Sequence, residues 1–229
     1  MLPLPESAHP VSFAARHNTV ESDVKDDLEK FHAELLEASP QYNLSVKKAT
    51  SKKPVVVTVT HEALPYGAAA TSYGRRSRNY IGINPSATIE NASLRTARSA
   101  LINDARQSLI FEMKNLASAR QNDSIDNRAR SGRYELARAG DSLPPIATSL
   151  VNRPGDLPAA KYAIDVEKQE YESAKILKEI ADDISASPAI DNLQVVIPAP
   201  SKFEDYLAGQ IKGGHTQGYL DQYDQLRGK

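Results

Sequence analysis

The sequence predicts an α+β fold, mainly helical, in which a small sheet packs against two long helices. Three observations carry this expectation. Residues 94–119 and 158–184 each hold an apolar stripe at helical spacing over about seven turns. Val55-Val56-Val57-Thr58-Val59-Thr60 is a β-branched run bounded by Pro54 and Pro65, and Asn79-Tyr80-Ile81-Gly82-Ile83-Asn84 is a second short run stopped by Pro85. The helical segments far outweigh these strands in length, so the sheet is expected to be an accessory to the helices.

Along the chain, residues 1–19 are rich in Pro, Ser and Ala, contain two histidines and keep no period, which predicts a disordered leader. Residues 20–229 are then expected to form one α+β domain. A first helix over 22–37 places Val24, Leu28, Phe31, Leu35 and Leu36 at helical spacing, and Ser39-Pro40 is expected to end it. Residues 67–78 read as a small, polar, partly basic connection. After the helix at 94–119 comes irregular chain with a helical piece near 128–139. Asp156 and Pro158 then suit the start of the second long helix. Residues 192–197 read as a last strand, and 202–211 and 218–226 as a helical tail interrupted by Gly213-Gly214-His215.

Composition narrows the chemistry. The 229 residues carry 28 basic and 29 acidic side chains for a net charge of −1, which gives no global field for nucleic acid or an anionic membrane. No apolar run reaches the roughly 18 residues that cross a bilayer, so no membrane insertion is expected. The N-terminus, Met1-Leu2-Pro3-Leu4-Pro5, shows neither a basic region nor an apolar one of the Sec type. Cysteine is absent, which excludes disulfides, thiol nucleophiles and cysteine-ligated metal. Trp is absent too, and the core must come mainly from Leu, Ile, Val and Ala.

The candidate site lies on the apolar faces of the two long helices. At about 100° per residue, Leu101, Ala105, Ser108, Glu112, Asn115 and Ala119 fall on one line, flanked by Ile102, Leu109, Met113 and Leu116. On 158–184 the stripe of Tyr162, Val166, Ser173, Leu177, Ile180 and Ile184 has Glu170 in its middle. A carboxylate placed there without a partner is expensive. Two readings stay open: a polar network that keeps helices in register, or a site in which Glu112 and Glu170 split acid and base roles while Asn115 orients the substrate.

Strand, polar connection, helix with Glu112 and Asn115, then a later helix with Glu170: this order resembles the zincin metallopeptidases. In the stretch Ile110-Phe111-Glu112-Met113-Lys114-Asn115, Glu112 is similar in place to the general base of His-Glu-x-x-His, with Phe111 and Asn115 at the two histidine positions. Glu170 matches the downstream glutamate ligand. The resemblance spans about residues 54–184 and implies a zincin-like scaffold whose motif is degenerate, of the kind seen in bacterial effectors and toxins. Phe111 cannot coordinate a cation and Asn115 is a poor ligand, so no metal and no cofactor are expected.

The other motifs point to ordinary structure. His61, just past the first strand, is a further candidate beside Glu62 and Tyr66, although a His-Glu pair at a strand end is commonplace. Arg75-Arg76-Ser77-Arg78, between Tyr73 and Tyr80, reads as a solvated basic turn. Gly213-Gly214-His215-Thr216-Gln217-Gly218 lacks the strand and the Lys-Ser/Thr of a phosphate loop and reads as a linker.

Together these features lead to two expectations. The first is a bacterial secreted effector- or toxin-like protein, exported by a non-Sec route into a host cell or retained in the cytoplasm. It would act through a protein partner and bind no nucleic acid. The second is a metal-independent hydrolase built on Glu112, Glu170, Asn115 and His61.

Overall fold

The computed structural model describes residues 9–16, 19–62, 64, 70–75, 77–85, 94–136, 142–152, 154–186 and 201–228. The fold is mainly helical α+β with one four-stranded sheet. The chain forms two compact units. Unit 1 comprises residues 1–118 and 176–197, and unit 2 comprises residues 119–175 and 198–229.

Unit 1 contains the strands β1 (Val11–Ala15), β2 (Val55–Val59), β3 (Ala70–Gly74) and β4 (Asn79–Ile83) in the spatial order β1-β2-β4-β3. β1 and β4 both run parallel to β2, and β3 pairs antiparallel with β4. The register places Val57 between Phe13 and Ile81, with Ser72 beyond Ile81, so these four side chains share one face of the sheet. Val55, Val57, Val59, Ile81 and Ile83 on that face are buried.

Helices cover the buried face. α1 (Thr19–Ala38) packs on β1 and β2, and α3 (Leu94–Ala117) packs on β3 and β4. Leu28, Phe31 and Leu35 of α1 join Leu109, Ile110 and Met113 of α3 in one core with the sheet. α2 (Pro40–Ala49) lies against both helices. Arg106 of α3 donates two hydrogen bonds to Asp27 of α1, at 2.8 and 2.7 Å, and its guanidinium lies 4.8 Å from the centre of the Phe31 ring. This fork fixes how α3 lies along α1, since planar bidentate pairing tolerates little rotation.

Several expectations are corrected here. Val11–Ala15, assigned by sequence to a disordered leader, is an edge strand; its alternation is short and becomes legible only beside β2. Ser39-Pro40 ends α1 but also begins α2: Ser39 Oγ accepts from the Tyr42 N–H at 3.2 Å, and Pro40 occupies the first turn, where its missing N–H costs nothing. The connection at 67–78 contains β3. The helix expected over 94–119 stops at Ala117, and α4 (Ala119–Arg130) follows, where a helical piece nearer 128–139 was expected. The strand expected at 192–197 lies outside the described residues, as does Tyr66.

Unit 2 contains α4, two short 3-10 segments at Pro145–Leu150 and Pro154–Asp156, α6 (Phe203–Lys212) and α7 (His215–Arg227). α5 (Leu157–Ser185) contributes residues 157–175 to this unit and its remainder to unit 1. One core joins Ile125, Ala129, Tyr134, Tyr162 and Tyr223, and a second joins Ala147, Ile164 and Leu207. Gly213-Gly214, expected as a linker, is a tight junction. Gly214 adopts φ of 77° and delivers the chain directly into α7, which therefore starts three residues before the predicted helix.

His32 of α1 is a polar group inside unit 1. Its Nδ1 lies 2.8 Å from the Tyr42 hydroxyl, and its ring packs against Phe13 and Tyr42. Burial holds its pKa down, at about 4, against a weaker opposite pull from Glu29. A histidine kept neutral by the fold contributes stability that is complete above its ordinary value near 6.5 and is lost as pH falls towards 4. We predict that the melting temperature falls over this window, with a full swing on the order of 3 kcal/mol. His32→Gln should flatten the fall; an unchanged profile in that variant would refute the assignment. A second prediction concerns the helix junction. Both Gly209, inside α6, and Gly214 have open space where a Cβ would stand, but only Gly214 has positive φ. Gly209→Ala should raise stability, and Gly214→Ala should lower it, by roughly 1 kcal/mol each in urea titrations.

Candidate functional site

Two carboxylate sites emerge, one in each unit: Glu112 in unit 1, and Glu167 with Glu170 in unit 2. In unit 1, α3 presents Glu112 on its inner face one turn before Asn115, as the helical period requires. Glu112 is buried and accepts a hydrogen bond from Asn115 Nδ2 at 3.3 Å and another from the Ser72 side chain on β3. Loss of water raises its pKa, and these two hydrogen bonds oppose the rise without cancelling it. Phe111 is partly exposed beside it. The set Glu112, Asn115 and Ser72 therefore supplies one carboxyl group with two donors, and offers a cation no second anionic or imidazole ligand.

His61, the remaining candidate of this unit, follows β2 directly. Its backbone N–H donates to Glu21 Oε1 at 2.8 Å, so its position is fixed through its main chain while its side chain is exposed. Glu21 itself is buried and ties the first turn of α1 to the end of β2. The neighbouring Glu62 pairs with Arg16.

Glu170 belongs to unit 2 and has a different set of partners. Glu167 and Glu170 stand three residues apart on α5, hence on one face. α7 brings His215, Thr216 and Tyr219 to them. Thr216 Oγ1 donates to Glu167 Oε1 at 2.8 Å, and Tyr219 donates its hydroxyl proton to Glu170 Oε1. His215 Nδ1 lies 3.4 Å from Glu167 Oε1 and 3.8 Å from Glu170 Oε2. Tyr206 of α6 also hydrogen-bonds Glu170. The hydrogen bond to Glu167 is the largest influence on His215 and raises its pKa, with the charge of Glu170 acting in the same direction. Burial, then the charge of Glu170, pushes the Tyr219 hydroxyl upward, so it stays protonated and able to donate.

Among the described residues, Glu167, Glu170 and His215 are a group whose donor atoms lie close enough to hold one metal ion, all within 4.8 Å of one another. Of this group the sequence pointed to Glu170 as a candidate, gave Glu167 no role, and placed His215 in an expected linker. The repeated acid at i and i+3 was a signal for Glu167, since it places both carboxylates on one face. His215 carried no such signal, because its position depends on the left-handed turn at Gly214. Among the described residues, no helix is long and apolar enough to cross a membrane.

Comparison with protein-family models, curated proteins and solved structures gives no match for this chain.

Glu112 provides a direct check of its setting. A carboxyl with raised pKa binds more protons folded than unfolded, so its contribution to stability declines as pH rises above the ordinary carboxylate range. Glu112→Gln keeps an acceptor for Asn115 and removes the charge. The variant should melt close to wild type near pH 4.5 and a few degrees above it at pH 8, about 2–4 °C for each kcal/mol in a chain of this length. A variant that loses stability equally at both pH values would refute this account.

Proposed function

We propose that this protein is an effector-type binding protein, acting on a protein partner, whose α3 keeps the zincin-like order of residues without peptidase chemistry. The observation that carries the reading is the setting of Glu112. A general base for peptide hydrolysis has to reach a water and a substrate carbonyl, with a cation to polarise them. Glu112 is instead buried, accepts from Ser72 and Asn115, and has Phe111 and Asn115 where ligands would stand. The zincin-like scaffold, the effector character and the non-Sec route are supported by the sequence pattern alone.

Hydrolysis by carboxylates is the second reading, and one observation favours it. Glu170 lies beside another acid and an imidazole, a combination in which neighbouring charges separate acid from base roles. The pair it favours is Glu167 with Glu170, in place of Glu112 with Glu170, because Glu112 has its own partners within unit 1.

Turnover assays on denatured casein and on quenched-fluorescent peptides, with Zn²⁺ and with chelator, test the first reading. Wild type and Glu112→Gln should both show no turnover above buffer. Cleavage that disappears in Glu112→Gln would overturn it. Hydrolysis of ester or glycoside substrates that persists in chelator and is lost in Glu170→Gln would establish the second reading instead.

A further inference from the structure

We propose that Glu167, Glu170 and His215 form a binding site for a divalent transition-metal cation, with Zn²⁺ the best match to its donors. The site lies in unit 2 and shares no residue with the α3 motif; it uses the acids of the second functional reading and gives them a different role, as ligands.

Donor chemistry is the first argument. Two carboxylates and one imidazole are the hard and borderline ligands that zinc accepts, at about 2.0–2.2 Å from the metal. Ligands at that distance around a tetrahedral ion stand about 3.4 Å apart. His215 Nδ1 already lies 3.4 Å from Glu167 Oε1 and 3.8 Å from Glu170 Oε2. Three protein ligands would leave a fourth position for water, and the His215 side chain is 47% exposed, which gives a cation a way in.

The second argument comes from an oxygen that the protein leaves unsatisfied. The Glu167 side chain is 0% exposed, and among the described residues its Oε2 has no hydrogen-bond partner. A carboxylate oxygen kept from water without a donor is destabilising in a fold that gains nothing from it. A cation held by both oxygens of Glu167, with Glu170 and His215, removes that cost, because Oε2 gains a partner while Oε1 keeps Thr216 and its spacing to His215.

The surrounding contacts support the same role. Thr216 on Glu167, and Tyr219 with Tyr206 on Glu170, orient the two carboxylates from outside, as partners of metal ligands do. The first turn of α7 carries both His215 and Thr216, and Gly214 at φ 77° is what aims that turn at α5.

Isothermal titration of the full chain with ZnCl₂ at pH 7.5, beside thermal melts with Zn²⁺ and with chelator, tests the site. One equivalent of Zn²⁺ should bind and raise the melting temperature, and chelator should reverse the rise. His215→Ala and Glu170→Gln should each weaken binding at least tenfold, and His61→Ala should leave it unchanged. Absence of stoichiometric binding by wild type would overturn the proposal, and so would equal binding by the site variants. Should those variants fold poorly, wild type loaded with Co²⁺ decides: intense visible bands of a four-coordinate ion support the site, and the weak bands of an octahedral ion overturn it. An equal melting shift with Mg²⁺ at the same concentration would also overturn it, since it would mark a site without preference for nitrogen donors.

Discussion

Positions along β2 alternate between fully buried and half-buried, and unit 1 is organised by the need to keep the buried series dry. Val55, Val57 and Val59 cannot be covered by other strands, because the sheet places its neighbours beside β2 and not above it. Helices must do it. α1 takes the β1–β2 side and α3 the β4–β3 side, and the Arg106–Asp27 fork holds the two together over the sheet. Once α3 lies with Leu109, Ile110 and Met113 downward, the helical period carries Glu112 to the same interior. The buried carboxyl is thus a consequence of covering the sheet, and Ser72, on the same sheet face as Ile81, is there to meet it.

The acids of unit 2, Glu167 buried and Glu170 partly exposed, are placed for a different reason. Glu167 and Glu170 are met by a helix whose first turn is aimed at them by a left-handed glycine, and three of the groups it brings are polar. Glu112 receives donors on a face otherwise filled by aliphatic side chains. Among the described residues Glu167 receives a donor on one oxygen only, which is an unusual expense in a well-packed interior. Two carboxylates that look alike in a helical projection therefore differ in what their surroundings ask of them.

The sequence revealed those features whose cause is local. The two long helices, β2 and β4 were legible because periodicity and proline boundaries act within a few residues of one another. Glu112, Asn115 and Glu170 could be placed on inner faces for the same reason. β1 and β3 were missed because neither carries a β-branched apolar run between prolines and each is defined by its partner: Val11–Ala15 needs β2, and Ala70–Gly74 needs β4. Pairing Glu170 with Glu112 went beyond what spacing can support, since a projection gives the face of a helix and not what meets it. The contribution of His215 depended on a single backbone dihedral at Gly214, which composition presents only as a flexible pair of glycines.

The first strand of the chain also determines how the protein responds to force. Among the described elements β1 precedes every helix, and it lies parallel to β2, joined to it at five registered positions. A force applied to the chain ahead of β1 and resisted beyond β2 runs along this ladder. The load then falls on all its hydrogen bonds together, so they yield as a group and not one after another. The segment that composition presents as a loose end is, mechanically, the latch of the sheet.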